Sequence, residues 1–438
     1  MTSVSKLLFL IAISSALLGA VPVPKASDNP AKNLAHYLQY QMGGDVALSC
    51  REGKEAFSCE SRDQKIIETD CNATTVTAFK YAGLHFNGAV AAALQKERFD
   101  AAMKEIEQTE QLRKKYLASK KPYLVPPSSP LQDALDRALF GNLEKLRVDG
   151  LDVEKSAPQS HMSVKKLVFV NAMKRTAKGA AFSERILGEM RLSYTDAVVD
   201  KNRTESLYRS LPVMLEARLE TNNTIRAAYV GEKLEQLYGQ QIRLPMSGEF
   251  TVKTRYLGND AIGVTVAAEN GNKKGTHSSF GFAGNLLNAS TVFTPARKPL
   301  TPGTPDFLFG YLHSHSSTDG NGYRALLKTD KRFARYIGEY DALIRGYFDR
   351  KLQKYRYSAV LSGWITQAKN ALSKGILGKA DTLDVTVRNR DGMTAMQVFG
   401  MLIEQLMATP PDRGAQPDAE KIIADTAASH LEVEIEAH

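Results

Sequence analysis

Residues Leu143 to Lys174 read LEKLRVDGLDVEKSAPQSHMSVKKLVFVNAMK, and their pattern decides the fold class. Two apolar runs, Leu143 to Val153 and Val164 to Met173, flank a polar turn that contains Pro158, which is the mark of two paired strands. Leu146, Val148, Leu167 and Phe169 are the expected core contributors of that hairpin. Working outward, similar runs recur at Gly188 to Val198, Val213 to Leu219, Phe250 to Tyr256, Ala261 to Ala268 and Leu286 to Phe293. Turn chemistry at Gly258-Asn259-Asp260 and Asn270-Gly271-Asn272 separates them, and one helix, Ile225 to Tyr238, interrupts them. The spacing predicts a meander of antiparallel strands.

Before this centre the sequence predicts a helix from Asn29 to Tyr40, a strand pair about Arg51 to Glu55, strands Lys65 to Glu68 and Thr74 to Phe86, and helices Ala89 to Leu117 and Leu131 to Phe140. After it the pattern turns helical. Tyr323 to Tyr355 carries one broad apolar and aromatic stripe, followed by helices Ser358 to Ser373, Ala395 to Ala408 and Asp418 to Ala428. The stripe, with arginines elsewhere on the helix, fits an interfacial helix on anionic lipid or a face packed on its own core, and packing on the core is the preferred reading. Leu431, Val433 and Ile435 alternate with Glu432, Glu434 and Glu436, and Leu383, Val385 and Val387 alternate likewise, so these two strands are expected in one half-buried sheet. The fold class is therefore α+β: a mainly antiparallel, strand-rich central sheet with covering helices and a more helical C-terminal part.

Two proline-rich segments, from Pro122 to Pro130 and from Pro295 to Pro305, divide the chain. With the N-terminus they give a signal peptide at 1–20, an N-terminal region at 21–121, a strand-rich domain at 122–294 and a helix-rich domain at 295–438. The signal is read from Lys6 followed by the apolar run Leu7 to Gly19, with cleavage near Ala20; an uncleaved inner-membrane anchor is the alternative. Export to the periplasm is the expectation. The 438 residues carry 57 Lys and Arg against 48 Asp and Glu, a net +9 spread among many acids, which attracts anionic surfaces mildly and is no nucleic-acid signature.

In an oxidising compartment the three cysteines, Cys50, Cys59 and Cys71, become disulfide candidates. Cys50 and Cys59 would face each other across the first hairpin, while the odd count leaves three pairings open. Their spacings match no zinc-ligand pattern. Asn72, Asn202, Asn222 and Asn288 open Asn-x-Ser/Thr sequons, which matter only on a glycosylating route.

Motifs for phosphate loops, dinucleotide binding, zinc proteases and nucleophile elbows are absent from the sequence. The segment Leu312 to Gly322, LHSHSSTDGNG, is the one local cluster with metal-ligating chemistry: His313 and His315 project to one side of an extended chain, and Asp319 offers an oxygen. The competing reading is a polar loop between two helices. An EF-type calcium loop fails because Tyr323 stands where an oxygen ligand is needed. No cofactor is implied.

The exported N-terminus, the strand-rich stretch from Leu143 to Phe293 and the closing LEVEIEA together resemble bacterial envelope proteins of the AsmA-like kind. That resemblance implies a periplasmic location and handling of a lipid or other apolar partner along a curved sheet, and it assigns no catalytic or binding residue. The leading expectation is a non-enzymatic binding protein for a lipid-like ligand or an envelope protein, with peripheral membrane contact. The alternatives are a metal-dependent enzyme using His313 and His315, and a structural or adhesive surface component.

Overall fold

The computed structural model describes residues 23–41, 47–69, 74–118, 129–156, 159–173, 187–199, 222–293, 304–408 and 419–438. The apolar run Leu7 to Gly19, Cys71, the expected strand Val213 to Leu219 and most of both proline-rich segments lie outside them. Among the described residues the fold is α+β, with twelve antiparallel strands and ten helices. The chain divides into two compact units, Met1–Ala172 with Arg191–Arg203, and Met173–Met190 with Thr204–His438.

In the first unit, strands β1 (Ser49–Glu52), β2 (Ala56–Thr69), β3 (Thr74–Asn87), β4 (Leu143–Ser156) and β5 (Gln159–Asn171) follow one another in order. The opening hairpin is β4 with β5, paired Leu146 to Phe169 and Val148 to Leu167. Leu146, Val148 and Phe169 are buried, as expected, and Leu167 is half-buried. The row continues through Leu84 of β3 to Cys59 of β2. Helices α1 (Pro30–Gln41), α2 (Lys96–Ala118) and α3 (Pro130–Phe140) contribute the buried Leu34, Tyr37, Leu38, Phe99, Ile106 and Leu139. The Tyr37 hydroxyl donates to Asp136 at 2.7 Å, so this large ring is buried without losing its polar partner. The helix expected from Ala89 begins instead at Lys96, because Asn87 caps a short 3-10 turn over Gly88–Ala92 that comes first.

Cys50 and Cys59 are direct cross-strand partners and form a disulfide. Strand β6 (Gly188–Val199) has residues in both units.

The second unit contains β7 (Met246–Gly258), β8 (Ala261–Asn272), β9 (His277–Leu287), β10 (Asp306–Ser317), β11 (Thr382–Asn389) and β12 (Leu431–Ala437), again in chain order. Its helices are α4 (Asn222–Ile242), the single turn α5 (Ser290–Phe293), α6 (Asn321–Thr329), α7 (Lys331–Lys354), α8 (Ala359–Ile376), α9 (Ala395–Ala408) and α10 (Ala419–His430). Strands β11 and β12 pair as their alternation demands, Val385 with Ile435 and Val387 with Val433, leaving Glu432, Glu434 and Glu436 exposed. Helix α8 packs on β12, and the Gln367 side chain accepts the Ile435 N–H at the sheet edge.

Two further expectations are corrected. The strand placed at Leu286 to Phe293 lies earlier, because Asn288 adopts a left-handed φ of 51° and the buried Asp260 carboxylate accepts the Ser290 N–H at 2.9 Å, which turns the chain into α5. The single helix expected from Tyr323 breaks at Asp330, whose carboxylate accepts the Phe333 N–H at 2.9 Å as the N-cap of α7. The core reading of its stripe holds for the first half of α7, where Phe333 and Ile337 are buried against Val230 of α4. Leu343 and Tyr347 further along are exposed. Among the described residues no helix is long and apolar enough to cross a membrane.

Candidate functional site

The segment read as a polar loop between two helices is mostly strand. His313 and His315 lie on β10 and share one face, since neighbouring residues of a strand point to opposite sides. The His315 Nδ1–H donates to Asp384 of β11 at 2.8 Å, and His313 Nδ1 shares a hydrogen bond with Thr386 Oγ1 at 3.0 Å. The Asp384 carboxylate is also 3.9 Å from His313 Nε2, and the His277 ring of β9 lies 5.8 Å from that of His315. Asp319 stands apart, beyond the end of β10, where its carboxylate accepts the Asn321 N–H at 3.1 Å. The carboxylate beside the histidines is thus Asp384, 69 residues from His315 in the chain and brought in only by strand pairing. Among the described residues no three His, Cys, Asp or Glu side chains are arranged to hold a metal ion.

The opposite face of β7 to β10 has a different character. Directly paired residues point to the same side of a sheet, so the registers sort the side chains into cross-strand rows. Tyr256, Ile262, Leu286 and Phe307 form the first row; Thr254, Val264, Gly284 and Phe309 the second; Val252, Val266, Phe282 and Leu312 the third. Phe250, Ala268, Phe280 and Ser314 make the fourth, and Gly248, Asn270, Ser278 and Ser316 the fifth. None of these twenty residues is Asp, Glu, Lys, Arg or His. The charges of the four strands, among them Glu249, Lys253, Arg255, Glu269, His313 and His315, fall in the alternate positions and point the other way.

Two glycines shape this face. At Gly310 the register with β9 slips by one residue, so that Phe307 and Phe309 before it, and Leu312 and Ser314 after it, lie on the same side. A Cβ at Gly310 would stand 2.9 Å from the Ala283 carbonyl oxygen, which explains the glycine. At Gly284 a Cβ would run into the Phe307 ring and meet the Leu308 carbonyl oxygen at 2.8 Å, so the missing side chain is what lets that ring fold inward. Phe307 there stacks on Phe282, with centroids 5.7 Å apart, and Phe309 flanks Phe282 at 5.9 Å.

The first rows end in a closed core, with Ile262 buried beside Leu187 and Ala289, and Thr254 accepting the Gly188 N–H at 3.1 Å. The third and fourth rows are only partly covered, and Phe280 keeps 38% of its surface exposed. Among the described residues no helix makes more than marginal contact with β7, β8 or β9. Sequence reading passed over this face, although Phe280-x-Phe282 and Phe307-x-Phe309 repeat the same alternating aromatic pattern.

No family model matches the chain, and no curated protein matches it. Fold and face together define an α+β protein whose antiparallel sheet is charged on one side and, over four strands, wholly uncharged on the other.

Proposed function

We propose that this is a non-enzymatic binding protein for a lipid-like ligand, exported to the periplasm, with the uncharged face of β7 to β10 as its binding surface. The observation that carries the reading is the partial exposure of a contiguous apolar face, rows Val252-Val266-Phe282-Leu312 and Phe250-Ala268-Phe280, where among the described residues no helix makes more than marginal contact with β7, β8 or β9. Soluble proteins seldom leave such an area bare without a partner for it. Burial of apolar ligand surface there is favourable by about 25 cal/mol per Å², so covering a few hundred Å² offsets the cost of immobilising a chain. The Cys50–Cys59 bridge and the basic and apolar N-terminus support export. The test is organic extraction and mass spectrometry of protein purified from its native envelope without detergent. Co-purifying lipid in near-stoichiometric amount is the expected result; lipid-free protein that also fails to take up a neutral fluorescent dye would end the proposal.

A further inference from the structure

The uncharged face is graded along the strands as well as bare of charge. Its first four rows are apolar but for Thr254, Ser314 and the Tyr256 hydroxyl, whereas the fifth consists of Gly248, Asn270, Ser278 and Ser316. Asn270, Ser278, Ser314 and Ser316 are all partly or fully exposed, and none of their side chains hydrogen-bonds within the described protein. A patch of free amide and hydroxyl groups therefore adjoins an apolar surface. The apolar rows left partly exposed are those of Val252 and Phe250, about 7 Å apart along the strands at about 3.3 Å per residue, and they run across all four strands.

Resting on the reading of this face as a lipid-binding surface, we infer that its ligand is a single-chain amphiphile with an uncharged, hydroxyl- or amide-bearing head group, the head lying on Asn270, Ser278, Ser314 and Ser316 and the chain on Val252, Val266, Phe280 and Phe282. Charge is what selects the class. A carboxylate or phosphate head resting there would give up part of its hydration and meet no Lys, Arg or His side chain on this face, because Lys253, Arg255, His277, His313 and His315 of the same strands point the other way. A glycerol or amide head loses nothing comparable, because Asn270 both donates and accepts and each serine does the same.

The experiment uses the full-length protein and one acyl chain on three heads: 1-monopalmitoylglycerol, palmitate and 1-palmitoyl-glycerol-3-phosphate, each displacing a neutral solvatochromic dye. Monopalmitoylglycerol is expected to bind at least about tenfold more tightly than either anion, and the double variant Asn270→Ala with Ser278→Ala to bind it about three- to tenfold more weakly, the loss expected for one or two hydrogen bonds. The melting temperature should stay unchanged in that variant, since neither side chain is tied to the fold. Equal or tighter binding of either anion, or an unaltered monopalmitoylglycerol affinity in the double variant, overturns the inference while leaving the apolar face intact. Failure of all three ligands and of the dye overturns both.

Discussion

Phe307 pairs across the sheet with Leu286, yet its ring lies against that of Phe282, four residues away on β9, with the two planes 10° apart. It reaches there over Gly284. Gly284→Ala should push the Phe307 ring off Phe282 and destabilise the protein by about 1–3 kcal/mol, the usual cost of an overpacked position. Urea unfolding reads that cost. Dye binding to the same variant should weaken, because the apolar floor loses its flat stack.

Helices α4 and α7 are joined at Asp330, which caps α7 and accepts the Tyr229 hydroxyl at 2.6 Å. The Tyr229 hydrogen bond, followed by the Phe333 N–H and the Lys233 charge, holds the Asp330 carboxyl below its ordinary range. Asp330→Ala should lower the melting temperature by several degrees at neutral pH. Asp330→Asn, which keeps a cap oxygen but no charge, should recover part of the loss.

Glu420 ties the start of α10 to the end of α7 through Lys351 at 2.6 Å, Lys354 at 2.9 Å and the Tyr355 hydroxyl at 2.7 Å. Those hydrogen bonds, Lys351's first, depress its carboxyl to about 2 from an ordinary 4.5. A depressed carboxylate stabilises the fold fully above the unfolded value and loses that contribution as pH falls through the folded one. Glu420→Gln should therefore reduce stability at pH 7 and flatten the pH dependence between about 4.5 and about 2, as read from melting curves of both proteins.

Reducing the Cys50–Cys59 bridge frees a loop with a sequence separation of 9. The chain-entropy model assigns such a loop about 2–3 kcal/mol, so Cys50→Ser with Cys59→Ser should unfold at correspondingly lower urea. Dye binding in the second unit should persist at low denaturant.

Much of this was legible where a simple period survives. The hairpin Leu143 to Lys174, the facing of Cys50 and Cys59, the buried Leu34, Tyr37 and Leu38 of α1 and the pairing of Leu383 to Val387 with Leu431 to Ile435 all follow from alternation or helical spacing. Strands β9 and β10 did not show themselves, for reasons that are physical. HSSFGFAG is poor in branched residues, and in DFLFGYLHSHSS the bulge at Gly310 shifts the apolar phase from Phe307 and Phe309 to Leu312. His313 and His315 were recognisable by residue type, but their partner Asp384 comes from β11 and no local spacing announces it. The uncharged face belongs to four strands at once, so only the register reveals it.

A second apolar surface competes with that face for any hydrophobic ligand: Met396, Phe399 and Ile403 form an exposed stripe on α9. Photolabelling separates the two. A neutral amphiphile bearing a diazirine near the chain terminus, irradiated with the full-length protein and mapped by peptide mass spectrometry, should mark Val252, Val266, Phe282 and Leu312 and spare the alternate positions Thr265 and Ala267. Label concentrated on Phe399 and Ile403, or spread evenly over both faces of β8, would contradict the assignment of the binding surface to β7 to β10.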